Sequence, residues 1–369
     1  MNAALKNYKS NYRMAVVADS EDKVRELREK GTECALYEQD KLIFYPDGYE
    51  VQLDEKSKEK LQGLSAYDII EISPNGLLYR SFANLERETT LFMGAACNSN
   101  CIMCPASDAE RKTGNAYSAD NLFKYIDYLP EDIPSLVITG GEPTMNRELF
   151  LEALRRVKEK FENTYVLMLT NGRSLSNKAL SDAVALNRPA HFRVAIPIHG
   201  HTAELHDRIT RVQGSFEQTK TGIKRMLARR IPVEIRIVVT KLNCEYTREI
   251  SELILKEFPG IVCVNFIGLE PLGNCALNFK EVFLGYEESF QFCRSAVDLL
   301  VKSGVTTALY NYPLCAVDSR YWPICAKSIS TYKNGFVEGC KDCAVYDICP
   351  GFFDSALRFV KPKISPVEG

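Results

Sequence analysis

The sequence lacks any apolar run long enough to cross a bilayer as a helix, so nothing in it reads as a membrane span. It also lacks an excess of either charge. Its 46 Lys and Arg against 48 Asp and Glu give a formal net charge of -2, no electrostatic reason to expect a nucleic-acid or anionic-membrane partner. The opening stretch, Met1 to Arg13, lacks the apolar region of a secretory signal, and the expected location is the cytoplasm. Cysteine, by contrast, is plentiful at thirteen residues. An odd count in a 369-residue chain with no export signal argues against a secreted disulfide scaffold, so some of these thiols are expected to carry chemistry. The remaining composition, 46% hydrophobic and 25% charged, is that of an ordinary globular protein long enough for one large domain and an appendage or two.

The thiols are unevenly spread. Cys97, Cys101 and Cys104 lie in a short loop after the apolar run Leu91-Phe92-Met93, and their spacing lets them converge on one soft metal centre. They cannot complete it, because Pro105 to Thr113 offers neither Cys nor His as the fourth ligand that structural zinc demands. A cubane of four irons held by three thiolates keeps one iron open for a small chelating ligand. The second group is Cys340, Cys343 and Cys349, with Cys325 and Cys315 upstream; its CxxC start also suits a four-cysteine zinc site. Cys34, Cys244, Cys263, Cys275 and Cys293 read as small buried hydrophobes.

Along the chain the pattern changes twice. Residues 1–88 predict a small α+β module of antiparallel strands. Strand-like Tyr12–Val17 is followed by a helix over Glu21–Lys30, and Leu42–Tyr45 meets the turn Pro46-Asp47-Gly48 before the alternating run Tyr49–Leu53. Ile69–Ile72 and Leu77–Tyr79 flank a second turn. No catalytic constellation is visible there, and peptide or partner recognition is one conceivable role. Residues 89–310 alternate short apolar strands with amphipathic helices, the pattern of βα units on a parallel sheet. Ser118 reads as a helix N-cap, and Ser215-Phe216-Glu217-Gln218 as a capping box. Six strands are expected: the run before the Cys loop, Leu136–Ile138, Tyr165–Leu169, Phe192–Ile198, Val233–Val239 and Val262–Ile267. The implied fold is α/β, a partial (β/α)6 barrel with the N-terminal module and, over 311–369, a Cys-rich extension. In barrels of this kind chemistry sits at the C-terminal strand ends. There lie the three-Cys loop, Gly140-Gly141-Glu142-Pro143, Thr170-Asn171, His199-Gly200-His201 and Gly268-Leu269-Glu270-Pro271.

The CxxxCxxC spacing, with Gly140-Gly141-Glu142-Pro143 some forty residues on, resembles the signature of the radical S-adenosylmethionine (SAM) superfamily. The resemblance implies a [4Fe-4S] cluster on Cys97, Cys101 and Cys104 whose open iron holds the amino and carboxylate groups of SAM. Its reduction would yield a 5′-deoxyadenosyl radical. The chain departs from the family at Met103, where an aromatic residue usually precedes the third Cys. Gly140, Gly141, Glu142 and Pro143 would form a main-chain cradle for the SAM ammonium, since glycines admit a close approach of backbone to ligand. Arg208 would pair with the SAM carboxylate, Glu270 would lie near the ribose or adenine, and Thr170, Asn171 and His199 would face the barrel mouth. Each also reads as an ordinary cap, turn or surface group. His199 and His201 lack the third ligand of a metal site.

The second thiol group resembles the auxiliary-cluster region of SPASM and Twitch domains, in a short version with Phe353 where a further Cys is usual. The resemblance implies an auxiliary [4Fe-4S] cluster on Cys315, Cys340, Cys343 and Cys349, with Cys325 as competitor. A narrower resemblance covers Tyr310–Cys315, Trp322-Pro323, Lys327–Ser330, Lys333-Asn334 and Gly351–Phe353. These segments look like the tail of the His-Xaa-Ser system radical SAM maturases of the HxsC type. That likeness implies a short ribosomal precursor peptide as substrate, oxidatively cross-linked after hydrogen abstraction, and a second radical SAM maturase as partner. An electron donor such as flavodoxin or ferredoxin would serve the cluster. A SPASM-type enzyme acting on another protein or a small molecule, and a zinc-stapled interaction protein, are the competing readings.

Overall fold

The computed structural model describes residues 2–5, 11–61, 63–113, 117–327, 333–362 and 364–367. Ser328-Ile329-Ser330, part of the tail resemblance, lies outside the described residues.

The N-terminal residues form a seven-stranded mixed sheet, in the spatial order Asn2–Ala4, Leu77–Phe82, Ile69–Ile72, Arg13–Ala18, Cys34–Glu38, Lys41–Tyr45, Tyr49–Gln52. The expectation of antiparallel strands throughout needs one correction: Arg13–Ala18 runs parallel to Cys34–Glu38. The helix Glu21–Glu29, capped by Ser20 and burying Val24 and Leu27, is the crossover that makes this possible.

The second sheet is parallel throughout and places its strands in chain order: Glu88–Phe92, Ser135–Thr139, Tyr165–Leu169, Phe192–Pro197, Val233–Val238, Cys263–Ile267, Thr306–Tyr310 and Cys325–Ala326. It is an α/β half-barrel. The six expected strands are all present, and two more follow. Thr306–Tyr310 comes after the helix Tyr286–Lys302, and Cys325–Ala326 pairs with it from within the stretch expected to be a separate Cys-rich region. Thr306 and Thr307 interrupt the apolar run, which is why this seventh strand is weak in the sequence.

Side chains alternate across a strand, and here one set packs under the helices. Leu136, Ile138, Val166, Met168, Val194, Ile196, Val233, Ile235, Ile237, Val264 and Phe266 share one core. The opposite set lines the hollow of the half-barrel. The same core takes in Met14, Val16, Val24 and Leu27 from the N-terminal sheet. Buried Glu71 reinforces that seam, accepting from Tyr12 at 2.5 Å and from Tyr117 at 2.8 Å. Ser118 caps the helix Ala119–Tyr128 as expected. The expected capping box does not form at Ser215. Gly214 is the N-cap, and Asp207 from the preceding helix accepts from Gly214 N–H at 2.6 Å and Phe216 N–H at 2.8 Å. Beyond the barrel lies a short antiparallel pair, Asn334–Gly335 with Phe352–Phe353, whose two phenylalanines pack in a separate core with Ile102, Met103, Leu269 and Tyr286.

Candidate active site

The strand ends bring most of the expected residues to one place. A single cavity at the mouth of the half-barrel is lined by Cys97, Cys101, Cys104, Gly140, Gly141, Thr170, Asn171, His199 and Glu270. Apolar walls come from Met103, Leu169, Ile267, Leu269 and Phe353. Met103, the point of departure from the resembled motif, thus lines the cavity.

The glycine pair has a specific steric reason. A Cβ on Gly141 would stand 2.2 Å from the Ala95 carbonyl oxygen, and one on Gly140 would stand 2.5 Å from that of Gly94. Side chains are excluded because the turn lies directly on the backbone that leads into Cys97. Gly141 N–H bonds Gly94 O at 2.8 Å and Glu142 N–H bonds Ala96 O at 2.9 Å. The same turn tucks Glu142 away from the cavity. Glu142 is buried, and its carboxylate accepts from Thr170 Oγ1 at 2.7 Å, Thr144 Oγ1 at 2.6 Å and Asn171 N–H at 2.8 Å. Burial raises its pKa against the pull of these donors. Glu142 thus ties two strand ends together, and neither it nor Pro143, which opens a 3-10 turn, lines the cavity.

Two brackets hold the Cys loop. On one side Asn171 donates its amide to Asn98 Oδ1 at 2.6 Å and to Cys97 Sγ at 3.8 Å, while Arg173 reaches Ser99 Oγ at 3.0 Å. On the other, Asn274 donates to Asn100 Oδ1 at 3.1 Å, Cys101 O at 3.3 Å and Asp108 Oδ1 at 3.0 Å. Asn274, Arg173 and Arg111 were not singled out in the sequence, since each is an ordinary polar residue until the fold sets it against the loop.

Arg208 is a correction. It points outward from the helix Ala203–Thr210, is exposed, and does not line the cavity. The guanidinium groups that do are Arg111 and Arg236. Arg236 lies on the hollow-facing side of its strand, with Nε held at 2.7 Å by buried Glu234. Glu270 lines the cavity but is ion-paired at 3.1 Å with Lys333 from the C-terminal extension. His199 is buried and held neutral, its pKa pushed down to about 3 chiefly by burial and next by nearby His206. Its backbone N–H donates to His206 Nδ1 at 3.2 Å. His201 instead packs at a tilt against the Tyr246 ring.

All thirteen cysteines are free thiols. Burial raises the Cys97 thiol and pushes Cys101 up to about 12, so without a metal both stay protonated at neutral pH. Metal ligation would displace those protons. The second thiol group forms a cavity of its own, lined by Cys315, Cys340, Cys343 and Cys349, while Cys325 stands outside it with Sγ on Tyr321 O at 3.5 Å. Backbone N–H groups already point at its sulfurs: Leu314 and Gly351 at Cys349, and Val367 at Cys343, each at 3.4 Å. Gly351 and Phe352 line this cavity and Phe353 lines the other, so a three-residue strip borders both. Among the described residues no three His, Cys, Asp or Glu side chains are spaced to share a single metal ion.

Residues 91–254 match the Radical SAM superfamily model. Over this stretch the chain is similar to radical SAM domains. The cofactors of that family are a [4Fe-4S] cluster and SAM, and the residues present fit them: three thiols line one cavity, no fourth lines it among the described residues, and a polar-edged hollow lies beside them. Curated relatives include an AdoMet-dependent heme synthase of Oleidesulfovibrio alaskensis, 29% identical over 52% of this chain and 48% of that one. A GTP 3',8-cyclase of Limosilactobacillus fermentum is 25% identical over 59% of this chain and 65% of that one. The chain thus spans about half to two thirds of the length of these relatives. Among solved structures, Streptococcus suis SuiB superposes with TM-score 0.48 at 15% identity, covering 60% of this chain and 49% of that one. No helix among the described residues is long and apolar enough to cross a membrane.

Proposed function

We propose that the protein is a radical SAM enzyme that matures a short ribosomal peptide, the net change being an oxidative cross-link. The observation that carries the reading is the pairing of two thiol cavities: three thiols at the barrel mouth and, bordering the same strip of chain, four more at Cys315, Cys340, Cys343 and Cys349. Cys97, Cys101 and Cys104 would hold the first cluster, and when bound it supplies the electron that cleaves SAM to the hydrogen-abstracting 5′-deoxyadenosyl radical. The four-thiol cavity would hold an auxiliary cluster, whose chemistry is one-electron acceptance. The rest of the site belongs to the protein. Asn171 and Asn274 fix the Cys loop, Gly140 and Gly141 seat it, and Leu169, Ile267, Leu269 and Phe353 give the cavity apolar walls that would exclude water from the reacting centre.

The peptide half of the proposal draws support from the tail. Lys333 and Phe353, both in segments that resemble the His-Xaa-Ser system maturases, reach the barrel mouth. The division into residues 1–88, 89–310 and 311–369, the second maturase and a flavodoxin or ferredoxin donor stand as parts of the same proposal. The names of the curated relatives favour a second reading, a small-molecule substrate. Co-expression with a neighbouring short reading frame, followed by mass spectrometry, separates the two. A peptide lighter by two hydrogens supports maturation; an unmodified peptide alongside a converted small molecule supports the alternative.

A further inference from the structure

Of the guanidinium groups that line the cavity with the three thiols, Arg111 is the one with a buried nitrogen that lacks a hydrogen-bond partner among the described residues. It lies on the short helix Asp108–Thr113, its side chain is 6% exposed, and it lines the cavity with Cys97, Cys101 and Cys104. Its contacts to Asp108 Oδ1 and Asn100 Oδ1 are both made through Nη2. The other terminal nitrogen, Nη1, is buried and has no partner among the described residues. Burying a charged donor without an acceptor is costly, and such an orphan in a cavity wall marks a place where a ligand supplies the acceptor. Its counter-charge is weak as well. Asp108 is 46% exposed and already shared with Asn274. Arg236 differs, since buried Glu234 balances it at close range.

We propose that Arg111 is the anion-recognising residue of this cavity, its Nη1 donating to an anionic group seated against the three thiols. Two sources share that chemistry, the carboxylate of SAM and a sulfide of the cluster. Charge-assisted bonds from arginine suit either. The inference rests on the reading of the cavity as a SAM-cleaving site.

The test uses the full chain, reconstituted anaerobically, as wild type, Arg111→Gln and Arg111→Lys. Binding of SAM and of decarboxylated SAM is measured by equilibrium dialysis, and the midpoint potential is measured without SAM by titration followed with electron paramagnetic resonance. If the anion is the carboxylate, R111Q binds SAM about tenfold more weakly, the equivalent of one charge-assisted bond, and binds decarboxylated SAM like wild type. If it is a cluster sulfide, the potential of R111Q moves to more negative values and R111K restores it. R111Q with wild-type iron content, SAM affinity and potential overturns the proposal. Should R111Q fail to take up iron, Asp108→Asn, which removes the counter-charge and leaves Arg111, replaces it. Tighter SAM binding or a less negative potential supports the proposal, and no change in either overturns it. A wild-type chain that takes up no iron, or iron but no SAM, removes the underlying reading of the cavity and the proposal with it, an outcome distinct from failure at Arg111 alone.

Discussion

At the scale of single residues, the site is shaped by groups that the fold dries out. His199 and His206 are neutral because they are buried, with pKa values near 3 and near 4. An unfolded histidine takes up its proton below about pH 6.5, whereas the folded chain refuses it until far lower. The stability present at pH 7 is therefore expected to drain away as the pH falls from about 6.5 towards 4. His206→Asn keeps an acceptor for the His199 N–H and deletes the titration. Its melting temperature is expected to fall less steeply between pH 7 and pH 5 than that of wild type. Glu142 makes the complementary case. Exchanging its carboxylate for the amide in Glu142→Gln turns an NH2 toward donors from Thr170 and either Thr144 or Asn171, depending on which oxygen is replaced. A loss of about 1–3 kcal/mol in urea unfolding is expected, the cost of leaving buried donors unmet.

At the scale of elements, the strand-end turns position the Cys loop, and the glycine turn is the most exacting of them. Gly141→Ala would force its Cβ into two carbonyl oxygens, at 2.2 and 2.5 Å. Neighbouring backbone must then shift, at a cost of about 1–3 kcal/mol. The variant is expected to fold but to retain less iron after reconstitution than wild type. Why this turn needs glycine was only half readable in the sequence. The Gly140-Gly141 position after a strand was plain, but the residues suggested backbone approaching a ligand, whereas the close neighbour is the chain's own loop. Glu142 and Arg208 failed for a related reason. Sequence places a polar residue at a strand end or on a helix, but packing decides whether it faces the hollow, a neighbouring turn or solvent. The strands themselves were readable because apolar periodicity survives in six of them, and it fails in Thr306–Tyr310 where threonines interrupt it.

At the scale of the molecule, the N-terminal sheet is packed into the barrel rather than hung from it. Met14, Val16, Val24 and Leu27 share a core with Leu91, Leu122 and Ile126, and Glu71 joins tyrosines across the seam. Deleting residues 1–88 is expected to expose that core, giving poor soluble yield, and the full chain is expected to unfold in one calorimetric transition; two resolved transitions would contradict this. At the other end, the four thiols of the extension were readable as a group, with Cys315 expected to complete it and Cys325 as its competitor. Spacing allows both, while the fold brings Cys315 to the cavity and spends Cys325 at a strand edge. Replacing Cys340 and Cys343 together by Ala is expected to stop peptide product while leaving deoxyadenosine release; unchanged product would remove the auxiliary cluster from the proposal.

The most direct test of the central claim concerns Cys97, Cys101 and Cys104. The anaerobically reconstituted chain, reduced with dithionite in the presence of SAM, is expected to bind about eight irons as two cubanes and release 5′-deoxyadenosine. Each single Cys→Ala change in this triad should abolish that release while the auxiliary iron remains. Zinc in place of iron, or deoxyadenosine release that survives loss of any of the three thiols, would contradict the account.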